Sequence, residues 1–119
     1  MKFLLLVAHG SRRSESNTEV EQVAARLAEA AASEYDGVLH AFLELAEPSI
    51  PDGIDACLAG GADEVTVLPY FLAAGRHVSE DIPEIVAAKQ AEYPDRVIRI
   101  APYLGTAGEL PELLLNLSR

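Results

Sequence analysis

Two histidines and a glutamate stand at corresponding points of this 119-residue sequence, each at or just beyond the end of an apolar run. His9 follows the first run, Glu44 lies at the end of the second, and His77 follows the third after a glycine break. Two imidazoles and a carboxylate are an ordinary ligand set for a divalent ion such as cobalt, iron, nickel or zinc. Three protein ligands leave coordination positions open for exchange. The pattern therefore predicts a metal-handling site with His9, His77 and Glu44 as catalytic residues and the two histidines as metal ligands.

Each of these side chains also has a purely structural interpretation. His9 could be a core histidine bonded to backbone, His77 a solvated loop residue, and Glu44 an exposed carboxylate on an edge strand. Asp81 follows His77 by four residues and would share a face with it if this turn is helical. Glu80 and Asp81 more often cap the helix that follows, so a structural role is the default for both.

Four further polar residues could hold an anionic substrate near the same site. Arg12 and Arg13 lie between the first strand and the first helix, and Arg76 adjoins His77. Guanidinium groups at the edge of the sheet suit a substrate that carries carboxylates. Ser11, in the same loop as Arg12, is grouped with them as a substrate-binding candidate. The alternative is that the arginines are solvated charges that balance nearby acids.

The elements that must position these groups alternate between strand and helix along the whole chain. The predicted strands are Lys2–Ala8, Val38–Leu45, Val65–Leu72 and Val97–Ala101. Strands and helices at this spacing favour parallel strands with right-handed crossovers. We therefore expect an α/β fold, a single small doubly wound domain over residues 1–119 with a four-stranded parallel sheet flanked by helices. Ligands bind at the carboxyl edge of such sheets.

Capping residues and apolar spacing predict where the helices begin and which side they bury. Ser16 and Glu19 would form a capping box for the first helix, while Ser49 would cap the second. His40, in the middle of the second strand, is expected to be a half-buried packing residue. The predicted buried stripes are Ile50, Ile54, Cys57 and Leu58 in the second helix, and Leu110, Leu113, Leu114 and Leu117 in the fourth.

The composition limits the partners that this chain could have. Its formal net charge is −10, from 9 Lys and Arg against 19 Asp and Glu. Because phosphates and anionic lipids would repel it, we expect neither a nucleic acid nor a membrane as partner. Cys57 is the only cysteine, which excludes an internal disulfide and fits a reducing cytoplasm. The predicted location is cytoplasmic.

Three stretches of the sequence together resemble one protein family. They are L-L-V-A-H-G-S-R, A-F-L-E-L-A-E-P-S-I and P-Y-F-L-A-A-G-R-H-V-S-E-D-I-P. In order and spacing they are similar to the small CbiX-type sirohydrochlorin chelatases, relatives of the ferrochelatases. The resemblance implies insertion of cobalt(II), iron(II) or nickel(II) into sirohydrochlorin, a tetrapyrrole with eight carboxylates. It matches the family's two metal-handling histidines to His9 and His77, and its glutamate to Glu44.

The resemblance also implies what the chain works with. The expected partners are sirohydrochlorin and a divalent metal ion, the metal being a substrate, with no cofactor permanently bound. Larger relatives contain two such chelatase-like half-domains in one chain, so this chain is expected to form a homodimer. Two alternatives stay open: a non-catalytic module that binds metal or tetrapyrrole, and a partner subunit of a larger chelatase.

Overall fold

The computed structural model describes residues 1 to 119 and contains one sheet of four parallel strands. The strands are β1 (Lys2–Ala8), β2 (Gly37–Phe42), β3 (Glu64–Pro69) and β4 (Val97–Ile100). The helices are α1 (Ser14–Ala30), α2 (Ile50–Ala59), α3 (Ile82–Glu92) and α4 (Leu110–Leu117). The strand order is β2-β1-β3-β4. The predicted α/β fold with a four-stranded parallel sheet is confirmed. None of the helices has both the length and the apolar character that a membrane span requires.

The first strand is buried on both faces because it lies between β2 and β3. Leu5 and Val7 face the main core, where Ile54 of α2 is also fully buried. Leu4 and Leu6 alternate with them and therefore face the other side of the sheet, where they too are buried. An apolar run without alternation is typical of such a central strand.

The second helix follows the sequence prediction closely. The Ser49 hydroxyl accepts a hydrogen bond from the backbone N–H of Asp52 at 3.2 Å, and Gly60 caps the other end. All four residues of the predicted stripe are buried. One of them is Cys57, and burial raises the pKa of its thiol to about 11.

The predicted start of the first helix is wrong. The helix begins at Ser14 instead of after Ser16, and Arg13 occupies the N-cap position without a side-chain capping bond. Asn17 explains the early start, because its side chain holds the preceding loop. The backbone N–H of Ser11 donates to Asn17 Oδ1 at 3.0 Å, and Asn17 Nδ2 donates to the Ser11 carbonyl at 2.8 Å. The chain therefore enters the helix before the predicted capping box, whose Ser16 and Glu19 lie inside it.

Three strands are shorter than predicted. β2 ends at Phe42, β3 ends at Pro69 and β4 ends at Ile100. The first two lie on either side of β1, which itself ends at Ala8. Regular strand pairing stops where β1 stops, so Glu44 lies two residues past its strand instead of inside it.

The predicted burial of the last helix is wrong. Leu113, Leu114 and Leu117 are 53%, 58% and 81% exposed. Pro111 does stand in the first turn, as expected. The helix makes at most marginal contact with the other elements, so its apolar side faces solvent. Apolar spacing indicates which side of a helix packs against another surface, but it does not indicate which surface that is.

Candidate metal centre

The side chains of His9, Glu44 and His77 meet at the carboxyl edge of the sheet. One potential ligand atom from each lies within 4.8 Å of the other two. The two imidazole rings meet edge to face, with centroids 5.0 Å apart. His9 Nε2 lies 3.1 Å from a carboxylate oxygen of Glu44. Three groups that are remote in sequence therefore share one opening, as the common direction of parallel strands allows.

Gly10 allows Glu44 to lie beside His9. Its φ is +95°, and a Cβ atom at this position would stand 1.8 Å from the carbonyl oxygen of Glu44. Only glycine permits this approach. Beyond the regular strand pairing, the backbone N–H of Leu43 donates to the Ala8 carbonyl, and that of Glu44 donates to the His9 carbonyl. These bonds, at 2.9 and 3.0 Å, fix the two loops against each other.

His77 opens a single π-helical turn, His77–Asp81, that leads into α3. Such turns are frequent at functional sites. The turn places His77 Nδ1 2.8 Å from Asp81 Oδ2, so the two side chains share a face as the spacing indicates. Asp81 stands at the N-cap position of α3, as expected, but neither it nor Glu80 makes a side-chain capping bond to that helix. Glu80 instead lies 3.6 Å from the Nε atom of Arg76.

The partners of the two imidazoles decide which ring nitrogens are free. His9 Nδ1 lies 3.0 Å from the Gly10 carbonyl oxygen, and His77 Nδ1 contacts the Asp81 carboxylate. These oxygens accept hydrogen bonds, so both Nδ1 atoms carry hydrogen and, in the neutral rings, both Nε2 atoms present lone pairs. The lone pair of His9 Nε2 then faces an oxygen of Glu44, and two acceptors oppose each other. A proton or a metal ion between them turns this repulsive contact into an attractive one.

A cavity of about 380 Å³ opens beside these groups. It is lined by Leu43, Glu44, His77, Asp81, Glu84 and Ile85. The side chains of His9, Glu44 and His77 are 44%, 49% and 42% exposed, so a hydrated cation has access to them. Sequence reasoning missed Glu84, because nothing in its spacing distinguishes it from an ordinary exposed acid on a helix.

The predicted substrate-binding arginines lie on the surface. Arg13 and Arg76 are 78% and 81% exposed, and each is within 4.0 Å of an acid close to it in sequence. Arg12 is exposed as well. Ser11 is partly buried, and its hydroxyl accepts a hydrogen bond from the backbone N–H of Arg13 at 3.0 Å. The guanidinium groups are therefore free to reorient, while the serine is held within its loop.

The third histidine, His40, is not part of this group. It is half-buried in β2, and its ring lies edge to face with that of Phe42, the centroids 5.7 Å apart. The prediction of a packing role is confirmed.

A parallel α/β sheet with two imidazoles and a carboxylate at its carboxyl edge is an arrangement that could hold a divalent metal ion. The family model of CbiX matches residues 3–119, and the chain belongs to the CbiX family. The resemblance seen in the three sequence stretches is thereby confirmed.

The curated relatives are sirohydrochlorin chelatases by name. The chain is 42% identical over 90 residues to the chloroplastic sirohydrochlorin ferrochelatase of Arabidopsis thaliana, a match that covers 76% of this chain and 39% of that protein. It is 38% identical over 92 residues to the sirohydrochlorin cobaltochelatase of Methanococcus aeolicus, covering 77% and 63%. The chain therefore spans 39% of the length of the first relative and 63% of the length of the second.

Solved structures share the fold along nearly the whole chain. The CbiX protein of Marinobacter aquaeolei VT8, described as a cobalamin biosynthesis protein, superposes with a TM-score of 0.81 at 30% identity. That match covers 99% of this chain and 94% of the other. The sirohydrochlorin chelatase SirB of Bacillus subtilis subspecies spizizenii, in complex with cobalt, gives a TM-score of 0.77 at 32% identity. This second match covers 97% of this chain and 48% of that one.

Proposed function

We propose that this chain is a sirohydrochlorin metal chelatase, which inserts a divalent metal ion into sirohydrochlorin. The observation that carries the proposal is the meeting of His9, Glu44 and His77 within 4.8 Å at the open edge of a CbiX-family fold. Cobalt and iron are the proposed ions, since the relatives are named for them, and nickel suits the same donors. The ion is a substrate that the site holds briefly and gives up to the ring.

The first task of the site is to remove water from the ion. In this proposal, the Nε2 atoms of His9 and His77 and an oxygen of Glu44 replace three water ligands. Neutral imidazoles and one carboxylate lower the charge of the ion only partly, and the exposed side of the site stays open to the incoming ring. The ion is thus held facing the ring without being enclosed.

The second task is to accept the two pyrrole N–H protons that the metal displaces. As the ion passes to the ring it frees the Nε2 atoms of His9 and His77, and each can then accept one of the two protons. The proton on His9 is shared with Glu44, whose carboxylate oxygen lies 3.1 Å away. Asp81 is proposed to act through His77, since it holds the Nδ1 hydrogen and so directs Nε2 toward the ion.

Substrate anchoring is assigned to the four polar residues at the same edge. Arg12, Arg13 and Arg76 are proposed to bind carboxylates of sirohydrochlorin, and Ser11 to donate a hydrogen bond beside them. The exposure of the three arginines suits a large ligand that approaches from solvent. Fixing the ring at its rim would set its face over the metal.

The proposed assembly is a homodimer in the cytoplasm. The opening at the sheet edge leaves about half of each metal-site side chain exposed, which suits a cleft that a second copy completes. The single thiol, that of Cys57, is buried and free, and it requires no oxidising compartment.

The experiment that tests the function follows the absorbance of sirohydrochlorin with cobalt, iron or nickel, with and without the purified protein. We expect the protein to accelerate insertion over many turnovers. Binding of ring or metal in a fixed ratio with no gain over the uncatalysed rate would contradict the proposal and favour a non-catalytic carrier. Activity that appears only on addition of a larger chelatase would favour a partner subunit.

A further inference from the structure

Two surfaces of this chain have no partner within it. One is the apolar side of α4, where Leu113, Leu114 and Leu117 are more than half exposed. The other is the side of β4 that faces away from the main core. Val97 is 51% exposed there, and Arg99 is exposed beside it.

The open side of β4 follows from how the helices are distributed. Parallel sheets are normally covered on both faces. The face that carries the main core is covered by α2 and α3, which contribute Ile54 and Val86 to that core. The first helix packs along β2, at the opposite end of the other face. Thr66 of β3 is still buried on that face, but Val97 and Arg99 of the outer strand β4 are exposed. No helix of the same chain covers β4 there, and α4 is the only helix of the chain that stands unpacked.

Size and charge match between the two surfaces. An eight-residue helix is about 12 Å long, enough to cross two or three strands spaced roughly 4.8 Å apart. Glu109, at the N-cap of α4, flanks the leucine side of the helix, whereas Glu112 lies on the opposite side. Arg99 on the open sheet face pairs with no acid of its own chain. The helix therefore offers leucines and one acid to a face that offers a valine and a cation.

We propose that two copies of this chain exchange their last helices, so that α4 of each copy covers the open side of β4 in the other. A second copy is the fitting occupant because every copy offers both surfaces, and a two-fold pair covers all four at once. The inference gives the proposed homodimer an interface, and it is independent of the proposed chemistry.

The test pairs one change on the helix with one on the sheet. Leu114→Asp places a charge in the helix contact, and Val97→Lys places the opposite charge on the sheet. Each variant alone should weaken the dimer roughly 100-fold, because it buries an unpaired charge twice in a symmetric pair. Molar mass is measured by light scattering during size-exclusion chromatography over a range of concentrations. Leu115→Asp is the matched control, since Leu115 lies about 150° around the helix from the centre of the stripe.

Mixing the two variants separates exchange from a contact within one chain. In a mixed dimer one contact is native and the other joins Asp at 114 to Lys at 97, so dimers should return. If α4 instead folds back on its own sheet, mixing restores nothing. A monomeric parent, equal effects of Leu114→Asp and Leu115→Asp, or no recovery on mixing would each overturn the inference, whatever the chelatase assay gives.

Discussion

At the scale of single residues, the site depends on what the second nitrogen of each imidazole contacts. The Gly10 carbonyl and the Asp81 carboxylate take the Nδ1 hydrogens of His9 and His77. Both Nε2 atoms are then left for the shared opening. The two histidines are thus equivalent in tautomer, although one is fixed by backbone and the other by a charged side chain.

Replacing Asp81 tests whether it positions His77. We expect Asp81→Ala to weaken cobalt(II) binding about 10- to 100-fold, as loss of such a partner does elsewhere. Asp81→Asn keeps an oxygen acceptor and should recover part of that loss. The measurements are titration by the visible spectrum of bound cobalt and the ¹⁵N shifts of the His77 ring, which report its tautomer. Glu80→Gln is the control, since Glu80 faces Arg76. Parent-like affinity and tautomer in Asp81→Ala would contradict the role.

Gly10 provides a second prediction at this scale. Gly10→Ala should destabilise the fold by several kcal/mol, because the new Cβ meets the Glu44 carbonyl oxygen and the backbone has a positive φ. Gly108→Ala is the control, since a Cβ there meets nothing within 4 Å. Urea unfolding of both variants measures the difference. Equal urea midpoints for the two variants would show that the loop after β1 leaves room for a Cβ atom beside the Glu44 carbonyl.

The sequence identified the candidate donors but not the contacts that orient them. His9, Glu44 and His77 could be proposed because parallel strands all present their carboxyl ends at one edge. The positive φ of Gly10 and the hydrogen bonds of the Asn17 side chain to Ser11 could not be predicted. Each depends on a neighbour that only the folded chain brings near. The spacing of Asp81 allowed both a capping role and a contact with His77, and only the folded turn shows the contact.

At the scale of elements, prediction succeeded where local and tertiary preferences agree. The helix α2 has its serine cap, its apolar stripe and its terminal glycine in register, and all three behave as expected. The helix α1 departs from its prediction. Asn17 holds the preceding loop, and the helix begins before the predicted capping box. Strand ends were placed too late because a strand stops where its neighbour stops, which the apolar run alone does not reveal.

The burial of α2 predicts how its cysteine reacts. Because burial raises the pKa of Cys57 from about 9 to about 11, little thiolate exists at pH 8.5 and access is closed. Alkylation in the native protein should be at least roughly 100-fold slower than in urea. Between pH 9 and 11 the unfolded chain binds fewer protons than the folded one, so stability should fall as pH rises. Cys57→Ala should show a smaller fall, because Asp55 also raises the pKa values of Lys89 and Tyr93 in the folded chain. Rapid alkylation of Cys57 in the native protein would contradict this, because it would show that α2 opens and exposes the thiol.

At the scale of the whole molecule, one side of the outer strand β4 is uncovered, while the chain carries one helix, α4, that packs on nothing. The sequence gives α4 an apolar side, and burial within the same chain was the natural expectation. Whether such a side packs on its own sheet or on another copy depends on geometry that no periodicity contains. The acidic surface, with a net charge of −10, also suits attraction of cations to the open edge.

The central claim is that two imidazoles from separate strand ends deliver one metal ion to the ring. The most direct measurement is the initial rate of cobalt insertion into sirohydrochlorin, followed by absorbance, for His77→Ala against His40→Ala. The matched control removes the histidine that packs against Phe42 outside the site. We predict that His77→Ala loses at least about 100-fold in rate while His40→Ala stays close to the parent. Insertion by His77→Ala at the parental rate would contradict the account.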